Sequence, residues 1–382
     1  MRCERCGNED EQYFYEDQQG IYCRRCIMFG RLNINQPIIK KSINKKIIRC
    51  DYQLAYPLTY QQKYAIQAIM YYLNQHEDVL VYAACGAGKT ELTMEAIKTY
   101  LNRGQKVGFA IARRQVVLEI AQRMQEAFPM IRVVPVCEGH TYETDGDLII
   151  CTMHQLYRYH QWFDLLIMDE VDAFPYRGNP LLSKIASHAC IGERILLTAT
   201  PDNEMKKLVE QRKLKLVELF QRPHGYPLIE PKVIKLPKFA QYMYLLFFLL
   251  KQRKRKIQTL VFVPTIQLTK MLYLCLFPFF RCATFTSMTI NKEKIIEEFH
   301  QYQYDCLFTT TILERGITIK GIYIIILQAD HNVFNEASLI QMIGRVGRKK
   351  EQPTGEGVFL CSKKSKDIIS CVKAIKKMNS SI

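Results

Sequence analysis

The stretch Ala83-Ala84-Cys85-Gly86-Ala87-Gly88-Lys89-Thr90 holds what is needed to grip a polyphosphate. Gly86 and Gly88, with Ala87 between them, let backbone N–H groups turn inward, Lys89 supplies a cation for the β and γ phosphates, and the Thr90 hydroxyl can ligate Mg²⁺. The apolar run Val79 to Ala83 before it reads as a strand, and the residues from Glu91 onward read as a helix, which is the setting a phosphate loop requires. A second apolar run, Leu165 to Met168, ends in Asp169-Glu170-Val171-Asp172. There Asp169 would hold Mg²⁺ through its water shell, and Glu170 would orient and deprotonate a water attacking the γ-phosphate. An isolated acidic cluster after a strand is usually a solvated turn, so the pairing with the phosphate loop carries this assignment.

Different chemistry sits at the start of the chain. Cys3-x-x-Cys6 and Cys23-x-x-Cys26 are separated by 16 residues, a spacing that suits one Zn²⁺ held by four thiolates. Such a site has no open coordination position and is therefore structural, its binding free energy serving as folding free energy for a segment too small to hold itself together. The other ten of the fourteen cysteines are scattered singly, many in apolar surroundings such as Cys137, Cys151 and Cys306, and read as reduced core residues.

These residues need elements to position them. From Asp51 to Arg222 short apolar strands alternate with amphipathic stretches: Val79 to Ala83, Lys106 to Ala112, Asp147 to Thr152, Leu165 to Asp169 and Ile195 to Thr198. That rhythm implies a parallel sheet covered by helices. Arg222, Pro223, Gly225, Pro227 and Pro231 interrupt it, and it resumes with Thr259 to Val263, Cys306 to Thr309 and Tyr323 to Leu327. The expected division is therefore residues 1–50, zinc module and basic linker (Lys40, Lys41, Lys45, Lys46, Arg49); residues 51–222, a first α/β domain; and residues 223–382, a second.

At 382 residues, 48% hydrophobic, the chain has apolar material for several cores, and its net charge of +16 suits a polyanionic partner without specifying one. The apolar runs Tyr242 to Leu250 and Leu272 to Phe280 are about half the roughly 20 residues of a spanning helix and read as core. Arg2, Cys3, Glu4 and Arg5 stand where a secretion signal would be apolar, so a cytoplasmic location is expected.

Taken in order, the motifs resemble those of superfamily 2 helicases and translocases of the DEAD/DEAH-box kind. Ala83 replaces the first glycine of the general phosphate loop, as in the helicase form A-x-x-G-x-G-K-T. Thr198-Ala199-Thr200 resembles the family's motif coupling hydrolysis to domain motion, and Gln62 after Leu58-Thr59 resembles its adenine-reading glutamine, with Gln61 or Gln67 as alternatives. Thr309 to Thr318 resembles the motif linking ATP state to the nucleic-acid groove. Gln341-Met342-Ile343-Gly344-Arg345-Val346-Gly347-Arg348 fits Q-x-x-G-R-x-G-R, whose arginines, here Arg345 and Arg348, reach the γ-phosphate. The resemblance implies two RecA-like domains, ATP and Mg²⁺ as cofactors, movement along a strand, and strand contacts from Arg113, Arg114, Thr152, His154, Gln155 and Thr310.

Within that group, the zinc module, the basic linker and the strings GAGKTE, DEVDAFPY and TTILERGIT resemble the ComFA family of late-competence ATPases. That resemblance implies work on incoming single-stranded DNA at the cytoplasmic face of a membrane uptake channel, in company with ComFC and DprA. Membrane association would then come through partners, with self-association left open. Two other readings compete. A replication-restart helicase of the PriA kind would carry paired cysteines between motor motifs of the second half, where this chain has none. A zinc-dependent nucleic-acid-binding switch would hydrolyse ATP without processive movement.

Overall fold

The computed structural model describes residues 1–34, 47–314, 321–348 and 352–381. Lys40, Lys41, Lys45 and Lys46 of the expected linker, and residues 315–318 of the motif beginning at Thr309, lie outside the described residues. Packing divides the chain into two units: Met1–Tyr82 with Lys89–Leu219, and Ala83–Gly88 with Phe220–Ile382.

The first unit opens with a hairpin, β1 (Phe14–Asp17) and β2 (Gly20–Cys23). Helix α1 (Tyr60–Asn74) follows, its start fixed by a reciprocal capping box between Thr59 and Gln62. Then come β3 (Val79–Ala83), α2 (Met94–Asn102), β4 (Val107–Ile111), α3 (Arg114–Ala127), β5 (Val133–Val136), β6 (Leu148–Thr152), β7 (Phe163–Asp169), α4 (Pro180–Ala189), β8 (Cys190–Thr198), α5 (Asn203–Glu210) and β9 (Lys215–Leu219). Strands β3 to β9 form one sheet in the order β5-β6-β4-β7-β8-β3-β9. The pairings from β5 through β3 are parallel. Strands β4 and β6 are buried at every position and β7 at all but its last, as a sheet covered on both faces demands.

The second unit contains β10 (Lys232–Lys235), α6 (Lys238–Lys254), β11 (Thr259–Phe262), α7 (Ile266–Leu276), β12 (Cys282–Phe285), α8 (Lys292–His300), β13 (Cys306–Thr309), β14 (Tyr323–Ile326), α9 (Glu336–Ile343), β15 (Gly357–Cys361) and α10 (Lys366–Ser380). Its six-stranded sheet runs β10-β15-β14-β11-β13-β12, with every pairing parallel. The expected architecture, two parallel-sheet α/β domains behind a four-cysteine module, is the one observed.

One expectation needs correction. The runs Tyr242 to Leu250 and Leu272 to Phe280 are core on one side only. Leu245, Phe248, Leu249 and Leu272 pack onto the second sheet. Phe239, Met243 and Phe247 of α6 are 73%, 65% and 64% exposed, and Leu274 of α7 is 65% exposed. A helix lying on a sheet buries one stripe, so an apolar sequence on all sides leaves the opposite stripe in water. No helix of the described residues is long and apolar enough to cross a membrane.

Candidate nucleotide site and metal centre

The nucleotide-handling residues are delivered by the ends of parallel strands. Strand β3 ends at Ala83 and runs into the phosphate loop, where Gly86 and Gly88 take φ values of +83° and +88°, a region open to glycine and strained for other residues. Thr90 is buried and begins the single 3₁₀ turn Glu91–Thr93 before α2, its carbonyl accepting from Thr93 Oγ1 at 2.8 Å. Strand β7 ends at Asp169, whose carboxylate accepts the Glu170 N–H at 2.8 Å. Burial pushes the Asp169 carboxyl up to about 6, while the Lys89 ammonium pulls it back down. A half-buried carboxylate beside a lysine and a half-buried glutamate is a donor set suited to hydrated Mg²⁺. Glu170 itself sits at φ +54°, a strained conformation for a side-chain-bearing residue of the kind that gathers at functional sites.

Asp172 was not assigned a role from the sequence, yet it ties two motifs together. It is buried and accepts from Thr198 Oγ1 at 2.7 Å and from Thr200 Oγ1 at 2.6 Å. The acidic segment after β7 is thereby fixed to the threonine segment after β8. Gln62 is buried, and its amide oxygen accepts the Thr59 N–H at 3.0 Å, so that atom serves the start of α1.

The residues expected to touch nucleic acid occupy the ends of the neighbouring strands. Arg113 is the N-cap of α3 just beyond β4, and Arg114 is exposed, donating to the Glu138 carbonyl at 2.7 Å. Thr152 ends β6 and is buried. Gln155 Oε1 accepts from Arg158 at 2.5 Å. His154 lies half-buried with its ring 6.2 Å from that of Phe29, and burial lowers its basicity. With the order β6-β4-β7-β8-β3, one edge carries candidate strand contacts on its β6-β4 half and the nucleotide chemistry on its β7-β8-β3 half.

In the second unit Thr310 follows β13 and precedes the 3₁₀ turn Thr311–Glu314. Arg345 and Arg348 lie just beyond α9 in different surroundings. Arg345 is buried and donates to the Glu314 carbonyl at 3.3 Å, whereas Arg348 is exposed. Gly347 has φ +63°, and a Cβ there would come within 2.3 Å of the Pro353 carbonyl, so the second glycine of the motif has no substitute.

The four N-terminal cysteines converge. Each is at most 4% exposed, and their sulfurs all lie within 4.8 Å of one another, Cys3 to Cys26 at 3.6 Å and Cys6 to Cys23 at 3.7 Å. Four thiolates about 2.3 Å from a tetrahedral zinc stand about 3.8 Å apart, so the cage fits that ion. The module rests on the first α/β domain. Phe29 stacks on Tyr157 at 5.2 Å, Arg5 lies over the same ring at 5.7 Å, and the Glu4 carbonyl is 3.0 Å from His188 Nδ1. The remaining ten cysteines are also free thiols, and seven of them are buried.

Comparison with known proteins agrees with this arrangement. Residues 1–40 match the competence protein ComFA N-terminal domain, residues 55–203 the type III restriction enzyme res subunit, and residues 237–350 the helicase conserved C-terminal domain. The chain is 33% identical to competence protein ComFA of Streptococcus pneumoniae, across 99% of its own length and 90% of that protein's. The chain belongs to the ComFA family of competence proteins. The Bacillus subtilis ComFA is 32% identical, with 99% of this chain and 85% of that protein covered. Solved structures share the fold: RecG bound to a three-way DNA junction at TM-score 0.61 and 20% identity, covering 84% of this chain and 45% of that one. Saccharomyces cerevisiae Dbp5 bound to RNA and ADP BeF₃ gives TM-score 0.57 and 16% identity, covering 85% and 92%. A ComFA-family chain with both helicase domains is a helicase-like ATPase, and that fold implies ATP and Mg²⁺.

Two outcomes are expected. Lys89→Ala should lower ATP hydrolysis at least about a hundredfold, as loss of a phosphate-charge partner does, with an unchanged melting temperature; wild-type turnover would remove Lys89 from the site. Cys23→Ser should lose its zinc and loosen the first 34 residues to proteolysis, read by metal analysis and limited digestion. A full equivalent of zinc in that variant would refute the ligand set.

Proposed function

We propose that this chain is a DNA-dependent ATPase that moves along single-stranded DNA during uptake in natural competence. The observation that carries the reading is the divided strand-end edge of the first unit. ATP chemistry at β7-β8-β3 and basic or polar contacts at β6-β4 hang from one continuous run of paired strands, so a shift at the nucleotide has a direct path to the strand. In this scheme Gly86 to Thr90 hold the phosphates, Asp169 orders Mg²⁺, and Glu170 activates water. Gln62 serves the adenine, and Arg345 and Arg348 stabilise charge on the γ-phosphate. Arg113, Arg114, Thr152, His154 and Thr310 take the DNA backbone, which makes binding independent of sequence. The net charge of +16 supports a polyanionic track. Within this proposal zinc builds a platform, and ComFC- and DprA-like proteins and an uptake channel are the expected company.

Peripheral attachment to the inner membrane face is part of the same proposal. Residues 231–292 contain eleven lysines and arginines and no aspartate or glutamate, and they include the exposed stripe Phe239, Met243, Phe247 and Leu250. Apolar side chains framed by cations suit an anionic lipid surface.

Steady-state hydrolysis should rise strongly with single-stranded DNA and little with duplex or RNA at fixed low salt. Equal stimulation by all three would turn the assignment toward another helicase branch, and none toward a nucleotide switch. In flotation, wild type should rise with phosphatidylglycerol vesicles and not with phosphatidylcholine alone, and Phe239→Ser/Phe247→Ser should stay below. A wild type that floats with neither would end the membrane part of the proposal.

A further inference from the structure

Arg222 stands in the proline- and glycine-rich segment that interrupts the strand rhythm, where a linker residue would be solvated. The structure has it 1% exposed. Its guanidinium donates to three carbonyls of one turn: Gly344 at 2.7 Å, Gly347 at 2.8 Å and Val346 at 2.9 Å. No carboxylate pairs with it among the described residues, and burial lowers its basicity to about 10, which leaves it charged at neutral pH. His224 adds a contact from its Nε2 to the Gly347 carbonyl at 3.1 Å.

The turn it grips is the C-terminal end of α9, with Gly344 as the C-cap. The last carbonyls of a helix have no intrahelical donors and carry the negative end of its dipole, so a cation there is favoured. Arginine fits where lysine does not, because its planar group offers five donors in a fixed fork and meets several acceptors at once. Between the gripped carbonyls of Gly344 and Val346 lies Arg345, and Arg348 follows the gripped carbonyl of Gly347. The turn that carries both arginines is therefore gripped by a residue over a hundred positions earlier.

We infer that Arg222 is a positioning residue for ATP hydrolysis, holding the Gly344–Gly347 turn so that Arg345 and Arg348 are presented in their working geometry. The inference rests on the proposed role of those two arginines.

The test compares Arg222→Lys and Arg222→Gln with Arg348→Lys and Arg345→Lys in the full chain, reading kcat, KM, affinity for a fluorescent ATP analogue and melting temperature. The expected result for both Arg222 variants is a kcat at least about tenfold lower with KM and analogue affinity little changed. Arg222→Lys combined with Arg348→Lys should be no slower than the slower single variant, since residues acting as a unit are non-additive. Multiplicative losses in the double variant, or analogue affinity and melting temperature falling in step with kcat, would reduce Arg222 to a helix cap and overturn the inference. Normal turnover in both Arg222 variants while Arg345→Lys or Arg348→Lys is slow would overturn it and leave the motor reading standing. Normal turnover in the Arg345 and Arg348 variants would remove the role on which it rests.

Discussion

Parallel pairing is the constraint on which the first unit depends. When neighbouring strands run the same way, their chains leave the sheet at the same edge, and every loop that follows a strand is brought to one line. Phosphate loop, Asp169-Glu170, Thr198-Ala199-Thr200, the Arg113 segment and the Thr152 segment are far apart in the chain, and each needs only to follow a strand to join the others. The fully buried β4 and β6 anchor that edge, because every side chain along them is held in the core. Positions on this edge are thus stabilised by the core, and the exposed chemistry can be strained locally, as Glu170 is, without loss of the fold.

Much of this was legible because buried parallel strands are short uninterrupted apolar runs. Val79 to Ala83 and Cys306 to Thr309 coincide with strands, and Asp147 to Thr152 and Tyr323 to Leu327 differ from theirs by a residue. Gly357–Cys361 carries the same signature and was missed, and the strands without it were not read. Lys232–Lys235 is half charged, Lys215–Leu219 alternates, and Val133–Val136 contains a proline, all consistent with positions at or next to a sheet edge. The cysteine cage was legible from spacing alone. Asp172, Arg222 and the Phe29 contact were not, because each depends on which segments the topology brings side by side, and local pattern is blind to that.

Charge is distributed with a purpose that composition conceals. The long acid-free region of the second unit coincides with an apolar stripe that a water-soluble surface would normally avoid, whereas buried Arg222 is satisfied by backbone alone. Asp172 shows a complementary device, a buried carboxylate that accepts from two threonine hydroxyls. In both, polar atoms inside the protein lock segments to one another.

The apolar partners of the cysteine cage are few: Phe14 and Phe29 from the module itself, and Leu181 from α4. Phe29 reaches Tyr157, and the Glu4 carbonyl meets His188. On a ribosome the cysteines emerge well before the surface that completes their packing, which is synthesised some 150 residues later. A nascent chain can therefore gather metal early but cannot seat the module until α4 has left the exit tunnel, so the module's docking waits on the folding of the domain behind it.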